Sequence, residues 1–410
     1  MGLKPVLKNH KSADYPAEWR LSRVGVEFEI QLGKMLDSEK NVGVSKPYLG
    51  NKSVQWGSID VDALPTMSMS NEDLVRFRLK AGDLLVCEGG EVGRAAIWNE
   101  PIDECYYQKA LHRLRPLKGF SSRLLLQYFG YWTEHGLLAN YVTQTSIAHL
   151  AKEKLAVVPL PVPDELEQEA IATVLSDIDA LISGLDQLIA KKRDIKQAAM
   201  QQLLTGKTRL PGFDGEWQTM RLGDVALFHK GKGLPKSALN EFGSESCIHY
   251  GELFTKYSET IQYVNGRTDF LGDCFRSIAN DVLMPTSDVT PRGLAKASCL
   301  LIDDVVLGGD ILIVRVDAGR VCGTFLSYVI RYEEGQILQL VSGSTVFHLY
   351  AVDMKEFIFS SPSLAEQQAI VDFLSDMDAE ITILEQRRNK ARQLKQGMMQ
   401  QLLTGQIRLI

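Results

Sequence analysis

The sequence predicts an α+β protein: two α/β-mixed globular domains separated by two long helices, packed as an antiparallel coiled coil, in a pseudo-twofold circular repeat. Three observations predict this. Residues 164–206 and 363–405 align without a gap at an offset of 199 and are identical at 23 of 43 positions. Within each copy the apolar residues recur in steps of four and three, the seam of a coiled coil. Lastly, the residues after the second copy, Gln406 to Leu409, echo Lys207 to Leu210, and the PGFDGEW stretch that follows the first copy resembles the YPAEW stretch near the start. A repeat of this period is too long for a solenoid, whose periods run roughly 20–50 residues. It describes two large half-molecules that each end in the same helix.

Each helix carries its own start and stop signals. Asp164 is followed by Glu167, and Ser363 by Glu366, in the capping-box pattern, with Pro163 and Pro362 just before. The seam of the first copy runs through Ile171, Leu175, Ile178, Ile182, Leu185 and Ile189; the second matches it at Ile370, Leu374, Met377, Ile381 and Leu384. Arg388 stands where Ile189 stands, so the seam is expected to be tightest in the first half of each helix. Thr205-Gly206 and Thr404-Gly405 close the helices, glycine being suited to the position after a helix. About 40 helical residues span roughly 60 Å.

The regions upstream of the helices share few landmarks. Glu18-Trp19 opens one and Glu216-Trp217 the other, and His149-Leu150 matches His348-Leu349. Gly82-Asp83-Leu84-Leu85 matches either Gly309-Asp310-Ile311-Leu312 or Asn280-Asp281-Val282-Leu283. Short β-rich runs alternate with Gly- and Asn-bearing turns, which reads as a mixed α+β globule whose loops change while its frame stays. The expected boundaries are a globule over 1–153, a helical region over 154–208, a second globule over 209–354 and a second helical region over 355–410.

Composition limits the function classes. The chain has 410 residues, 45% of them apolar and 23% charged, as expected for globular domains with proper cores. No apolar run approaches the roughly 20 residues of a membrane helix, and the first residues show no signal core. Six scattered cysteines without a CxxC pair suit a reducing cytoplasm and no zinc site. The formal charge of −6 opposes coating nucleic acid by bulk charge. Gly206-Lys207-Thr208 lacks the first glycine of a phosphate loop and ends a helix where such a loop opens one. No zinc-protease, nucleophile-elbow or dinucleotide motif occurs, nor a convincing nuclease carboxylate cluster, so no catalytic residue and no metal site are expected.

One polar set recurs with the helices. Gln187, Lys191, Arg193, Lys196, Gln201 and Gln202 are repeated as Gln386, Lys390, Arg392, Lys395, Gln400 and Gln401. Packing alone does not require such duplication, so these residues are the candidate docking face for one partner that binds twice; a merely solvated face is the competing reading.

A proline, a short gap, Glu-Gln-x-Ala-Ile, and a long helix ending in Gln-Gln-Leu-Leu-Thr-Gly, all present twice, resemble the specificity subunit of type I restriction–modification systems. The resemblance is specific in the helices and weak in the globules. It implies that each globule is a target-recognition domain reading one half of a bipartite, asymmetric site on double-stranded DNA. It implies that the paired helices set the spacer and dock two methyltransferase subunits, and that motor–nuclease subunits join through the complex. It also implies that this chain is non-catalytic and holds no cofactor, S-adenosylmethionine belonging to the methyltransferase. A subunit that reads bases can stay acidic if partners clamp the phosphates. The alternative is a coiled-coil scaffold whose globules bind proteins rather than DNA.

On that reading the DNA-binding candidates are loop residues able to bond base edges or phosphates. In the first globule they are Lys46, Tyr48, Asn51, Lys52, Gln55 and Trp56, then Arg94 after the Glu88–Gly93 loop, Gln108, Lys109 and Arg113. In the second they are Lys230, Lys232, His249, Tyr250, Ser287 and Arg292, with His249-Tyr250 expected to correspond to Trp56-Gly57. His149 and His348 recur but are read as structural.

Overall fold

The computed structural model describes residues 15–37, 41–144, 148–270 and 272–409. The opening stretch read for a signal core lies, up to residue 14, outside the described residues. Four helices organise the chain: α1 (Ser122–Glu134), α2 (Glu165–Leu203), α3 (Gly323–Tyr332) and α4 (Leu364–Leu402). Both long helices have the extent that their start and stop signals predict. Compactness divides the chain into one unit of residues 1–186 with 386–410 and another of residues 187–385. Each long helix is thus shared, and the last segment of the chain completes the unit begun by the first.

In the first unit, β1 (Arg20–Arg23), β2 (Phe28–Leu32), β3 (Val44–Leu49), β4 (Leu84–Cys87), β5 (Ala95–Ile97), β6 (Tyr106–Tyr107), β7 (Leu111–Pro116), β8 (Ala148–His149) and β9 (Pro159–Val162) carry the frame. An antiparallel sheet runs in the order β2-β7-β4-β5, and β3 pairs in parallel with β6 in a second sheet. β1 pairs with β9, which tethers the chain entering the globule to the chain leaving for α2. The strand β4 is apolar on both faces, Leu84 and Val86 packing in the core that α1 covers and Leu85 and Cys87 in that of the second sheet.

In the second unit, β10 (Gln218–Arg221), β11 (Ala226–Lys230), β12 (Glu245–Ile248), β13 (Thr260–Ile261), β14 (Asp281–Pro285), β15 (Ser298–Leu300), β16 (Val306–Leu307), β17 (Ile311–Val316), β18 (Phe347–His348) and β19 (Ile358–Ser361) repeat the plan. The main sheet has the order β11-β17-β14-β15-β13, β12 pairs in parallel with β16, and β10 pairs with β19. α3 covers this sheet as α1 covers the other.

The repeated residues hold these frames together. Gln168 accepts from the Ser121 amide at the start of α1 and donates to the Pro163 carbonyl; Gln367 does the same with Cys322 and Pro362. Glu167 is fully buried and takes a bidentate Arg408, while Glu366 takes Arg209. Each of these arginines lies 5.8 Å from a tryptophan ring, Trp19 and Trp217 respectively. Gly206 and Gly405 adopt φ of 66° and 69°, the left-handed turn that ends each helix.

Inside each unit the helix segments run antiparallel. In the first, Asp179 pairs with Lys395 at 2.6 Å and Asp186 with Arg388 and Arg392. In the second, Asp378 pairs with Lys196, Glu385 with Arg193, and Glu380 with Lys192 at 2.7 Å. The seam differs from the expectation in one respect. Ile171 and Leu175, with Met399, Leu402 and Leu403, enter the core of the first globule; Ile370 and Leu374, with Met200, Leu203 and Leu204, enter that of the second. The early apolar positions look tightest because they serve a globule as well as the facing helix.

Candidate nucleic-acid interface

One edge of each unit gathers four loops, and the same backbone bonds build both edges. In the first unit the Gly33 amide donates to Leu111 and the Lys34 amide to Tyr107; in the second, Gly231 donates to Ile311 and Lys232 to Leu307. A Cβ on Gly33 would lie 2.3 Å from the Gln108 carbonyl oxygen, and one on Gly231 2.0 Å from that of Gly308. Only glycine permits this approach. The Gln108 amide donates to Leu49 and the Gly308 amide to Ile248, so the loops that follow β3 and β12 meet the loops that follow β6 and β16. Finally, the Leu150 amide donates to Glu88 and the Leu349 amide to Thr286, which brings in His149 and His348.

A matched ion pair stands at the start of β4 and of β14. Arg115 is bidentate on Asp83 (2.7 and 2.7 Å), and Arg315 is bidentate on Asp281 (2.8 and 2.7 Å). Both aspartates are 1% exposed. Their hydrogen bonds hold each arginine's pKa above its ordinary value. Gly82 and Asn280, at φ 85° and 82°, precede them. Of the two matches that the sequence left open for Gly82–Leu85, the structure selects Asn280–Leu283.

On this frame the first unit presents Asn51, Lys52, Arg94, Gln108 and Lys109. Asn51 donates to the Gly89 carbonyl at 2.9 Å, and Arg94 donates to the Asn51 carbonyl at 2.8 Å while also pairing with Glu91. Lys52 and Lys109 are exposed. Gln55 is exposed and bonds the Lys52 carbonyl, and Lys46 is paired with Glu104. The second unit presents Lys230 and Lys232 opposite Asp310 and Asp273, His249 against Tyr250 with ring centroids 4.9 Å apart, Ser287 paired with His348, and Arg292, 80% exposed beside Glu334.

Several predicted positions differ. Arg113 was expected on the surface but is 3% exposed and bound to Glu29, because it lies in the central strand β7. Tyr48 packs against the core beneath β3. Trp56 donates at 2.6 Å to Glu91, in the loop after β4, and also lines a groove of about 490 Å³ with Arg392, Lys395 and Gln396. His249-Tyr250 corresponds to Gly50-Asn51, not to Trp56-Gly57, since the parallel register of β12 on β16 matches that of β3 on β6. Four docking candidates, Arg193, Lys196, Arg392 and Lys395, turn to acidic residues on the facing helix, so helix pairing itself accounts for their duplication. Gln400 accepts from the Tyr131 hydroxyl and Gln202 from that of Thr208. Gln187, Lys191, Gln201, Gln386 and Lys390 are exposed, and Gln401 is half-buried. The sequence reading overlooked Gly33-Lys34; the signal was a strand followed by Gly-Lys in both halves, Leu32-Gly33-Lys34 and Lys230-Gly231-Lys232.

Among the described residues no cluster of His, Cys, Asp or Glu could hold a metal, and no helix is long and apolar enough to cross a membrane. All six cysteines are free; burial pushes the Cys105 and Cys299 thiols up to about 12 and Cys247 up to about 11.

Fold and site together define an internally duplicated protein: two α+β units, each offering a variable loop edge on a shared frame. The family described as type I restriction modification DNA specificity domain matches residues 16–191 and 313–393, well over half of the sequence. The chain belongs to that family, that of the type I specificity subunits. These subunits are non-catalytic, and the catalytic activities of the systems lie in other subunits. The chain is 22% identical to the type I restriction enzyme MjaVIII specificity subunit of Methanocaldococcus jannaschii, over 96% of this chain and 94% of that protein. A second relative from the same archaeon is also 22% identical, over 98% and 96%. The fold resembles the type I restriction-modification S subunit from M. genitalium, with a TM-score of 0.64, 15% identity and coverage of 98% of this chain and 99% of that one. It also resembles a chain solved in work on complex assembly and conformational transition of the type I R-M system, at TM-score 0.54 and 16% identity over 96% and 99%. The scaffold reading is not favoured by these matches.

Proposed function

We propose that the globules over 1–153 and 209–354 each read one half of a bipartite, asymmetric sequence in double-stranded DNA. The single observation behind this reading is a loop edge built twice by the same backbone bonds and bearing different side chains. One frame lets both domains approach a duplex in the same way, and different loops make the half-sites differ. The helices fix the distance between the half-sites, one helical turn of 5.4 Å corresponding to between one and two base-pair steps of ~3.4 Å. Two methyltransferase subunits dock on the repeated helix faces, through Gln187, Lys191 and Gln201 on the first helix and Gln386, Lys390 and Gln401 on the second, and they supply S-adenosylmethionine chemistry. Motor–nuclease subunits join through that complex, in a reducing compartment that suits six free thiols.

Charge sets the division of labour. At a formal net charge of −6 the chain lacks the basic field that gives non-specific affinity, so phosphate clamping falls to the partners and base reading to this chain. The test is a genome-wide methylation map of cells carrying this chain with its methyltransferase. A split, asymmetric motif that vanishes on deletion of the chain, and changes in one half only when 1–153 is exchanged, is the expected result. An active methyltransferase whose motif ignores this chain would refute the reading.

A further inference from the structure

His149 and His348 occupy one position in two different loop edges. His149 pairs with Thr143 and bridges Gly89; His348 pairs with Ser342 and Ser287. In each case the next residue, Leu150 or Leu349, is fully buried and donates its amide to the loop after β4 or β14, at 2.7 and 3.0 Å. The leucine anchors the backbone, so packing does not require the histidine before it. Both imidazoles are half-buried at the edge, and among the described residues neither has a hydrogen-bond partner. His348 stacks near Tyr350 at 6.0 Å and opens on a cavity of about 730 Å³ shared with His229, Lys230, Ser287 and Asp310. It therefore lies on the same surface as the candidate base readers.

The neighbours of the two histidines differ, Gly89 facing one and Ser287 the other, yet the histidines are the same. A side chain common to two domains with different loops cannot supply the difference between half-sites. What every duplex offers at a fixed place is its phosphate backbone, and contacts to it fix register without carrying sequence. We propose that His149 and His348 each donate an imidazole N–H to one phosphate, seating the two loop edges in the same register on their half-sites. The inference rests on the DNA-reading function proposed above and adds a residue-level partition: common histidines seat the domain, and divergent loops read it.

The test uses the full chain assembled with its methyltransferase, on duplexes carrying the mapped motif. His149→Ala and His348→Ala are each expected to weaken binding about tenfold, as for a hydrogen bond to a charged group. The methylated motif should stay unchanged, and His→Gln, which retains an N–H, should recover part of the loss. One neutral methylphosphonate in the matching half-site should cost the unaltered complex the same factor and cost the alanine variant nothing more. Unchanged affinity, or a loss that depends on the identity of one base pair, would overturn the proposal. If the unaltered complex recognises no split motif, the proposed function falls with it; if it does and the histidine variants bind normally, only this inference falls.

Discussion

Arg408 grips Glu167 across 241 residues of sequence, with Nη2 2.7 Å from Oε2, while the Trp19 indole donates to the same carboxylate at 2.8 Å. Glu167 is fully buried, so its charge is tolerated because the arginine and the indole satisfy it. In the second unit Arg209 and Glu366 repeat the pair. The indole does not take part there: Trp217 Nε1 has no partner. Glu167→Gln and Arg408→Ala should therefore each lower the urea midpoint of the first unit. The double variant should fall little below the worse single one, because the two changes remove the same contact. Additive losses in the denaturation curves would show that the pair does not act as a unit.

Asp83 and Asp281 should be the costliest single sites in the frames. Each is buried and satisfies both an arginine and a backbone amide, that of Lys80 or Ile278, at 2.8 Å. Asp83→Ala leaves the Arg115 charge unpaired beside the core, which costs about 3 kcal/mol. Equilibrium unfolding followed by tryptophan fluorescence measures this, and a loss below about 1 kcal/mol would show that the guanidinium finds water instead.

Gly33→Ala and Gly231→Ala force a methyl group into a carbonyl oxygen. The loops must part, and a stability loss of about 1–3 kcal/mol is expected for such overpacking. DNA recognition in the affected half-site should suffer too, because the loop after β6 or β16, which bears Gln108 or Gly308, moves away from the glycine. Crystal structures of the two variants would reveal the displacement, and unaltered loops with normal affinity would contradict it.

Acid should loosen the first globule through His112. Its ring is fully buried, with Nε2 2.7 Å from the Leu150 carbonyl and no partner on Nδ1. Burial holds its pKa below the ordinary value. As pH falls below about 6.5, the unfolded chain takes up a proton that the folded one refuses, so stability declines. Above that pH both states are neutral and the contribution is constant. His112→Gln should remove this part of the slope between pH 8 and pH 5.5 in urea titrations; an unchanged slope would exclude His112 as its source.

Arg292 is the most exposed cation among the second unit's candidates, and its salt bridge to Glu334 is weak at such exposure. If it reads a base edge, Arg292→Ala should reduce discrimination about tenfold at one position in one half of the motif. Sequencing of methylated sites would show that relaxation. A uniform loss at every position would instead mark a phosphate contact.

Much was legible because it is local or periodic. The capping signals, the apolar steps and the closing Thr-Gly each act within a few turns, so the extents of α2 and α4 followed from the sequence. Glu167-Gln168 and Arg408 stood out as repeats, but their work did not: a buried carboxylate serving a distant arginine has no spacing to read. Arg113 and Tyr48 looked like surface readers because charge and aromaticity do not reveal which face of a strand is covered. Arg193, Lys196, Arg392 and Lys395 looked like a docking face because ion pairs between helices depend on the register of one helix on the other.

The sequence by itself determined the duplication, the two long helices, the order of globule and helix, and the absence of known catalytic motifs, since these rest on identity, periodicity and spacing along one chain. Only the tertiary structure decided that each helix is shared by two compact units, that Asn280-Asp281 and not Gly309-Asp310 matches Gly82-Asp83, and that His149 and His348 stand at equivalent loop edges. Those facts depend on backbone bonds between strands far apart in sequence. Loops with little sequence in common can make the same bonds, because amide and carbonyl groups are common to nearly all residues.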